Sequence, residues 1–192
     1  MSTDKLKDYT ADLLTLETHL FNAVKKQRTS ERASDNDAMV LMNELDQILR
    51  NQINALESHL DKLGGGRKSD LKELLGSFSG LAAGLIDTVR KDPVSKMLRD
   101  DYTALSMLAT GYTMLHTHSL AADDNELSEI ALNHLGEITP VITEISRVLP
   151  LVVARESNDL DSDKSEEIGR KAMENTQKMW KAEQIKKEPT VA

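Results

Sequence analysis

No cysteine occurs anywhere in the 192 residues, which excludes disulfides, thiolate nucleophiles and zinc held by sulfur. An excess of basic residues is equally absent: 24 Lys and Arg stand against 32 Asp and Glu, for a net charge of −8. Such a chain lacks the positive field that draws nucleic-acid phosphates or anionic lipid, so neither nucleic acid nor membrane is an expected partner. No apolar run approaches the roughly 20 residues of a membrane-spanning helix. The opening MSTDKLKDYT does not show the basic-then-apolar pattern of a secretory leader, and the expected location is the cytoplasm. Aromatic residues make up only 3%, and runs of β-branched residues are few. Leu, Ala, Lys and Glu are abundant, as they are in an all-helical protein.

What is present is helical periodicity. The segment from Pro93 to Leu120 carries Leu98, Leu105, Leu108, Ala109, Tyr112 and Leu115 at three- and four-residue spacing, the stripe of a buried helix. Pro93 suits a first helical turn, with Asp92 as its cap. Ahead of it, a first helix is predicted from residue 3 or 4 to Gln27 along Leu6, Tyr9, Leu13, Leu16, Leu20 and Ala23, with Glu17 on the flank of that face. A second runs from Asp37 to Leu63 on the seam Met42, Leu45, Leu49, Gln52, Leu56, His59, Leu63, and Gly64–Gly66 stop it. A third is predicted from Ser69 to Lys91, with Gly76, Gly80 and Gly84 smoothing one flank for close packing. A fifth spans Glu126 to Ala154 along Leu127, Ile130, His134, Ile138, Val141, Ile145, Val148 and Val152. Pro140 should kink it, and Pro150 should end or bend it again.

Residues 1–154 therefore form one helical bundle. From Arg155 a polar, acidic stretch marks a solvated linker, and Ser165-Glu166-Glu167 starts a marginal amphipathic helix in the tail, residues 155–192. Trp180, the lone tryptophan, lies on that tail, where it either docks onto its own bundle or a symmetry mate in a homodimer, or anchors a protein partner.

Short loops make successive helices alternate in direction. If the third helix crosses over on the outside, the other four form an up-down-down-up bundle. That topology brings His59, His116 and His134 to one pole, at levels differing by about 6 Å from the 1.5 Å rise per residue.

Four stretches carry a resemblance: DLLTLETHLFNAVKKQ at 12–27, ALESHLDKLGG at 55–65, DPVSKMLRDDY at 92–102, and ATGYTMLHTHSLAADD at 109–124. Together they make residues 9–150 similar in layout to the YciE/YciF-like branch of the ferritin-like superfamily, small bacterial stress-associated bundles. The resemblance implies a ferritin-like fold with a crossover helix. It also implies a di-metal site with a carboxylate on the first helix, a Glu and a His on the second, and further Glu residues on the last two. Glu17 matches the first ligand. Leu49 and Gln52 stand where the second helix needs an acid and a histidine, and Leu105, Met107 and Leu108 replace a Glu-rich stretch. Glu137 and Glu144 remain on the last helix, without a Glu-x-x-His pair. A di-iron site needs four or more anionic ligands, so it is expected to be lost.

The favoured reading is a non-catalytic, ferritin-like structural or interaction module, with no cofactor expected. The alternative is a metal-binding bundle holding a single transition-metal ion through His59, His116 and His134, completed by Asp12 or water, with Glu17 as a surviving ligand. A third, metal-free enzymatic reading would use Tyr102, Tyr112 and His116. Gly64-Gly65-Gly66-Arg67-Lys68 follows a helix and not a strand, so it does not form a phosphate loop of the usual kind.

Overall fold

The computed structural model describes residues 3–30, 35–64, 93–157 and 159–187, and every regular element among them is an α-helix. These are α1 (Thr3–Arg28), α2 (Asn36–Lys62), α3 (Val94–Ala121), α4 (Asn125–Arg155) and α5 (Ser162–Lys187). The helix predicted at 69–91 lies outside the described residues.

Four helices close a ring, α1 packing on α2 and α3, and α4 packing on α2 and α3. Cross-helix contacts set their directions. Lys7 Nζ donates to the Gly64 carbonyl, so α1 begins where α2 ends. Gln27 at the end of α1 meets Asp101 near the start of α3, and His59 near the end of α2 meets Asp124 at the start of α4. Thus α1 and α4 run one way, and α2 and α3 the other. Leucines fill the interior: Leu13, Leu14, Leu45, Leu49, Leu56, Leu105, Leu108 and Leu127 are all buried, with Ile138 and Ile145 from α4. Gly111 faces α1, where a Cβ would press on the end of the Leu13 side chain.

The ends of α1 to α4 fall within one residue of the sequence expectation, and some of the groups that secure them are tertiary. Pro93 is the extended N-cap residue of α3 and not its first helical residue. The exposed amide of Ser95 is satisfied instead by Glu156 Oε1 at 3.1 Å, a side chain from the end of α4. α2 is capped locally, by Asp35 accepting from the amides of Asp37 and Ala38. Gly64, with φ +76°, closes its other end in the left-handed region that costs a glycine nothing. α4 continues through both Pro140 and Pro150 to Arg155, so Pro150 does not end it.

α5 starts at Ser162, where Asp161 Oδ1 accepts from the amide of Lys164 at 2.8 Å, and it packs along α4. Ser165, expected as its cap, is buried in the first turn. Arg155 joins three elements through Asp35 at 3.0 Å, Asp37 at 2.7 Å and Glu166 at 2.5 Å.

Candidate functional site

All four helices of the ring deliver a polar side chain to one level of the core. On α1 the buried residues Leu6, Thr10, Leu13, Glu17, Leu20, Val24 and Gln27 follow alternating four- and three-residue spacing. Glu17 is therefore on the seam, fully buried, and not on its flank. On α3, Tyr112 is fully buried in the stripe that the leucines define. α2 presents Gln52 and α4 presents His134, both buried.

The Tyr112 hydroxyl lies in hydrogen-bond contact with Glu17 Oε1 on one side and, at 3.0 Å, with His134 Nδ1 on the other. The two rings meet edge to face, with centroids 5.1 Å apart. Gln52 Nε2 donates to the His134 carbonyl at 3.2 Å and to Glu137 Oε2 at 2.8 Å, tying α2 to the same turn of α4. Glu17 Oε2 and Gln52 Oε1 are buried with no hydrogen-bond partner among the described residues.

Burial dominates the electrostatics here. It pushes the Glu17 carboxyl up to about 8; the Tyr112 contact opposes this and the Glu137 charge adds to it. Burial likewise lowers His134 to about 4 and raises Tyr112 well above its ordinary range. At neutral pH both Glu17 and His134 are then uncharged. The phenol has one proton for two neighbours, which fixes how the chain is wired. With Glu17 protonated, Glu17 donates to Tyr112 and Tyr112 donates to His134 Nδ1. With Glu17 ionised, the order reverses: His134 Nδ1–H donates to Tyr112, and Tyr112 donates to the carboxylate.

The sequence-predicted residues separate into two groups. Glu17 and His134 meet through Tyr112. His59 and His116 have partners of their own. His59, 4% exposed, bonds Asp124 Oδ2 at 2.9 Å through Nε2, while Glu126 lies 3.8 Å from its Nδ1. Those carboxylates face opposite ring nitrogens, so they do not converge with the imidazole on one ion. His116 Nδ1 lies 3.1 Å from the carbonyl and 3.0 Å from the hydroxyl of Ser128. Since His134 is level with Gln52, seven residues before His59 on α2, the two histidines are about 10 Å apart along the bundle axis.

The donor set at the Glu17 level does not fit a metal pair. It offers two acids, Glu17 and Glu137, one imidazole, His134, whose Nδ1 is engaged with Tyr112, an amide on α2 where an acid and a histidine are needed, and a phenol already engaged with Glu17. Among the described residues no group of three or more His, Asp or Glu side chains is placed to hold a metal ion. No described helix is long and apolar enough to cross a membrane.

Another buried acid lies at the Asp100-Asp101-Tyr102 turn of α3, where the sequence reads either as a proton feed to a buried site or as first-turn acids complementing the helix dipole. Asp101, 2% exposed, accepts from Gln27 Nε2 at 2.9 Å, and burial pushes its carboxyl up to about 7. Gln27 continues the α1 seam, and that spacing is the signal that locates the pair.

No known family model, curated protein or solved structure matches this chain.

Proposed function

We propose that the chain is a non-catalytic helical bundle of ferritin-like topology, acting as a structural or interaction module of the stress-associated kind. The up-down-down-up course of α1 to α4 supports the topology, as do the stretches that resemble the YciE/YciF-like branch. One observation carries the functional reading: the Tyr112 hydroxyl sits between Glu17 and His134. In a ferritin-like bundle this level would hold the metal ligands. Here Glu17, the buried acid at this level, is bonded to a phenol and holds its proton up to about 8, so a metal pair would have to displace that proton and would still lack the acids it needs.

The test is anaerobic loading of the full chain with Fe(II), followed by elemental analysis and an oxygen-consumption assay. The expected result is no stoichiometric iron and no oxidation of Fe(II) above the protein-free rate. Two irons per chain that disappear in Glu17→Gln would overturn the proposal. One equivalent of a transition metal, lost on replacing His59 and His116 together, would favour the single-ion alternative.

A further inference from the structure

The pole where α1 ends and α3 begins holds two buried acids with different surroundings. Asp46 on α2 is met by two guanidinium groups, Arg28 at 2.9 Å and Arg50 at 3.4 Å. No cation pairs with Asp101 on α3 among the described residues. Its one hydrogen bond comes from an amide, Gln27 Nε2 to Oδ1 at 2.9 Å, and the neighbouring Asp100 adds negative charge. Gln27 and Asp101 are both closed off from water.

That single bond leaves one oxygen over on each group, Gln27 Oε1 and Asp101 Oδ2, and both are buried with no hydrogen-bond partner among the described residues. With Asp101 ionised, both oxygens are acceptors and neither can serve the other. Such a pair leaves two buried polar atoms unsatisfied, which folded proteins generally avoid. A proton on Oδ2 changes this. A carboxylic acid and a primary amide each present one donor beside one acceptor, so two planar groups of these kinds can close a ring of two hydrogen bonds. Oδ2–H then donates to Gln27 Oε1 while Gln27 Nε2 donates to Oδ1. One proton satisfies both atoms.

We infer that Asp101 and Gln27 form a proton-dependent latch between the end of α1 and the start of α3, closed by two hydrogen bonds when Asp101 is protonated and weakened when the proton leaves. The charged groups around it are engaged elsewhere. Next to Gln27 on α1, Arg28 is turned to Asn43 and Asp46 of α2. On α3, Asp100 is held by Arg99 at 2.7 Å. The Tyr112–His134 and Ser95–Glu156 contacts set the register of α3 on α4, and the buried α4 residues level with Asp101 are Ile145 and Val148. Glu144 and Arg147 of α4 pair with each other at 3.2 Å on its exposed side. α5 reaches this level through Trp180 at Tyr102, with Lys178 and Lys181 exposed. Burial therefore sets the balance, pushing the Asp101 carboxyl from an ordinary value of 3.8 up to about 7. Between those values the folded state carries the extra proton. The latch is at full strength below pH 3.8, weakens as pH rises, and is spent above about 7. It is independent of the metal question.

The test follows both partners in the unmodified full chain by NMR, reading the Asp101 carboxyl through its carbon and the Gln27 side-chain amide through its nitrogen and protons. The two are expected to titrate together, with one midpoint at about 7. Hydrogen exchange of backbone amides in the last turn of α1 and the first turns of α3 is expected to show the same latch. Corrected for the intrinsic effect of pH, it should quicken by up to about tenfold per unit between roughly pH 5 and 7, then level off. Asp101→Asn keeps an amide partner for Gln27 without a titrating proton and leaves Glu17 in place, so it should remove that pH dependence. An Asp101 carboxyl already ionised at about pH 6, a Gln27 amide indifferent to the Asp101 titration, or the same exchange profile in Asp101→Asn as in the parent would each overturn the inference. The titration uses the parent chain alone, so it decides the matter even where Asp101→Asn does not fold.

Discussion

Replacing Glu17 with Gln keeps the shape of a buried side chain and removes its titration, so it isolates what the carboxyl contributes. In the folded chain Glu17 holds its proton up to about 8, whereas an ordinary carboxyl of this type releases it near 4.5. Between those values the folded state carries the extra proton, so the Glu17 contribution is full below pH 4.5 and falls as pH rises to about 8. His134 works the other way, since the unfolded imidazole binds a proton near 6.5 that the folded one refuses until about 4. Its contribution is lost as pH falls through that window. The groups facing this chain are Gln52 from α2, Tyr112 from α3 and Glu137 from α4. The two effects oppose each other between about 4.5 and 6.5, and Glu17 acts without that opposition from there to about 8. Urea unfolding is expected to show Glu17→Gln gaining on the parent chain between pH 6.5 and 8, by on the order of one to a few kcal/mol. Parallel curves for the two chains across that range would show that Glu17 is ionised in the fold. The placement of Glu17 was nearly legible. Leu6, Leu13 and Leu20 belong to both of the heptad seams that α1 permits. The choice between Tyr9/Leu16 and Thr10/Glu17 as the second row turns on what α3 offers, and Tyr112 offers a hydroxyl.

At the scale of the element, α5 is held by shape as well as charge. A Cβ at Gly169 would lie 2.9 Å from Leu151 Cα and 3.4 Å from Ala154 Cβ, so α5 crosses α4 at a distance only glycine permits. Trp180 then reaches Tyr102, with ring centroids 6.3 Å apart, over a cleft that Pro150 and Leu149 help to line. Gly169→Leu would push against backbone, which cannot yield as a flexible side chain does. It is expected to lift α5 from α4, cost about 1–3 kcal/mol and shift Trp180 fluorescence to the red. An unchanged emission maximum with unchanged stability would show that α5 does not pack there. Helix existence and, to within a residue, the ends of α1 to α4 were readable from the sequence, but the distant partners that secure some of those ends were not. The amide of Ser95 is capped by Glu156, and Arg155 gathers Asp35, Asp37 and Glu166 from two other elements. Local sequence contains no trace of such distant partners.

At the scale of the molecule, the all-helical class followed from composition, and most of the core from periodicity. The predicted seams of α2 and α4 are buried at Leu45, Leu49, Leu56, Ile138 and Ile145. Depth alone misled for the histidines. Counting residues from helix ends set His134 beside His59, whereas Gln52 is the α2 residue level with it. The account of the whole bundle rests on the state of its centre, an uncharged hydrogen-bond chain at the level where a ferritin-like protein would bind metal. Infrared difference spectroscopy between the parent chain and Glu17→Gln at pH 7 reads that state directly, because the substitution removes one carboxyl and leaves Asp101 and all others in place. The account predicts that the parent chain shows the carbonyl stretch of a neutral carboxylic acid, absent from Glu17→Gln and unaltered by added Fe(II) or Zn(II). A carboxylate stretch in its place at pH 7, or a carboxylic acid band that disappears when metal is added, would contradict it.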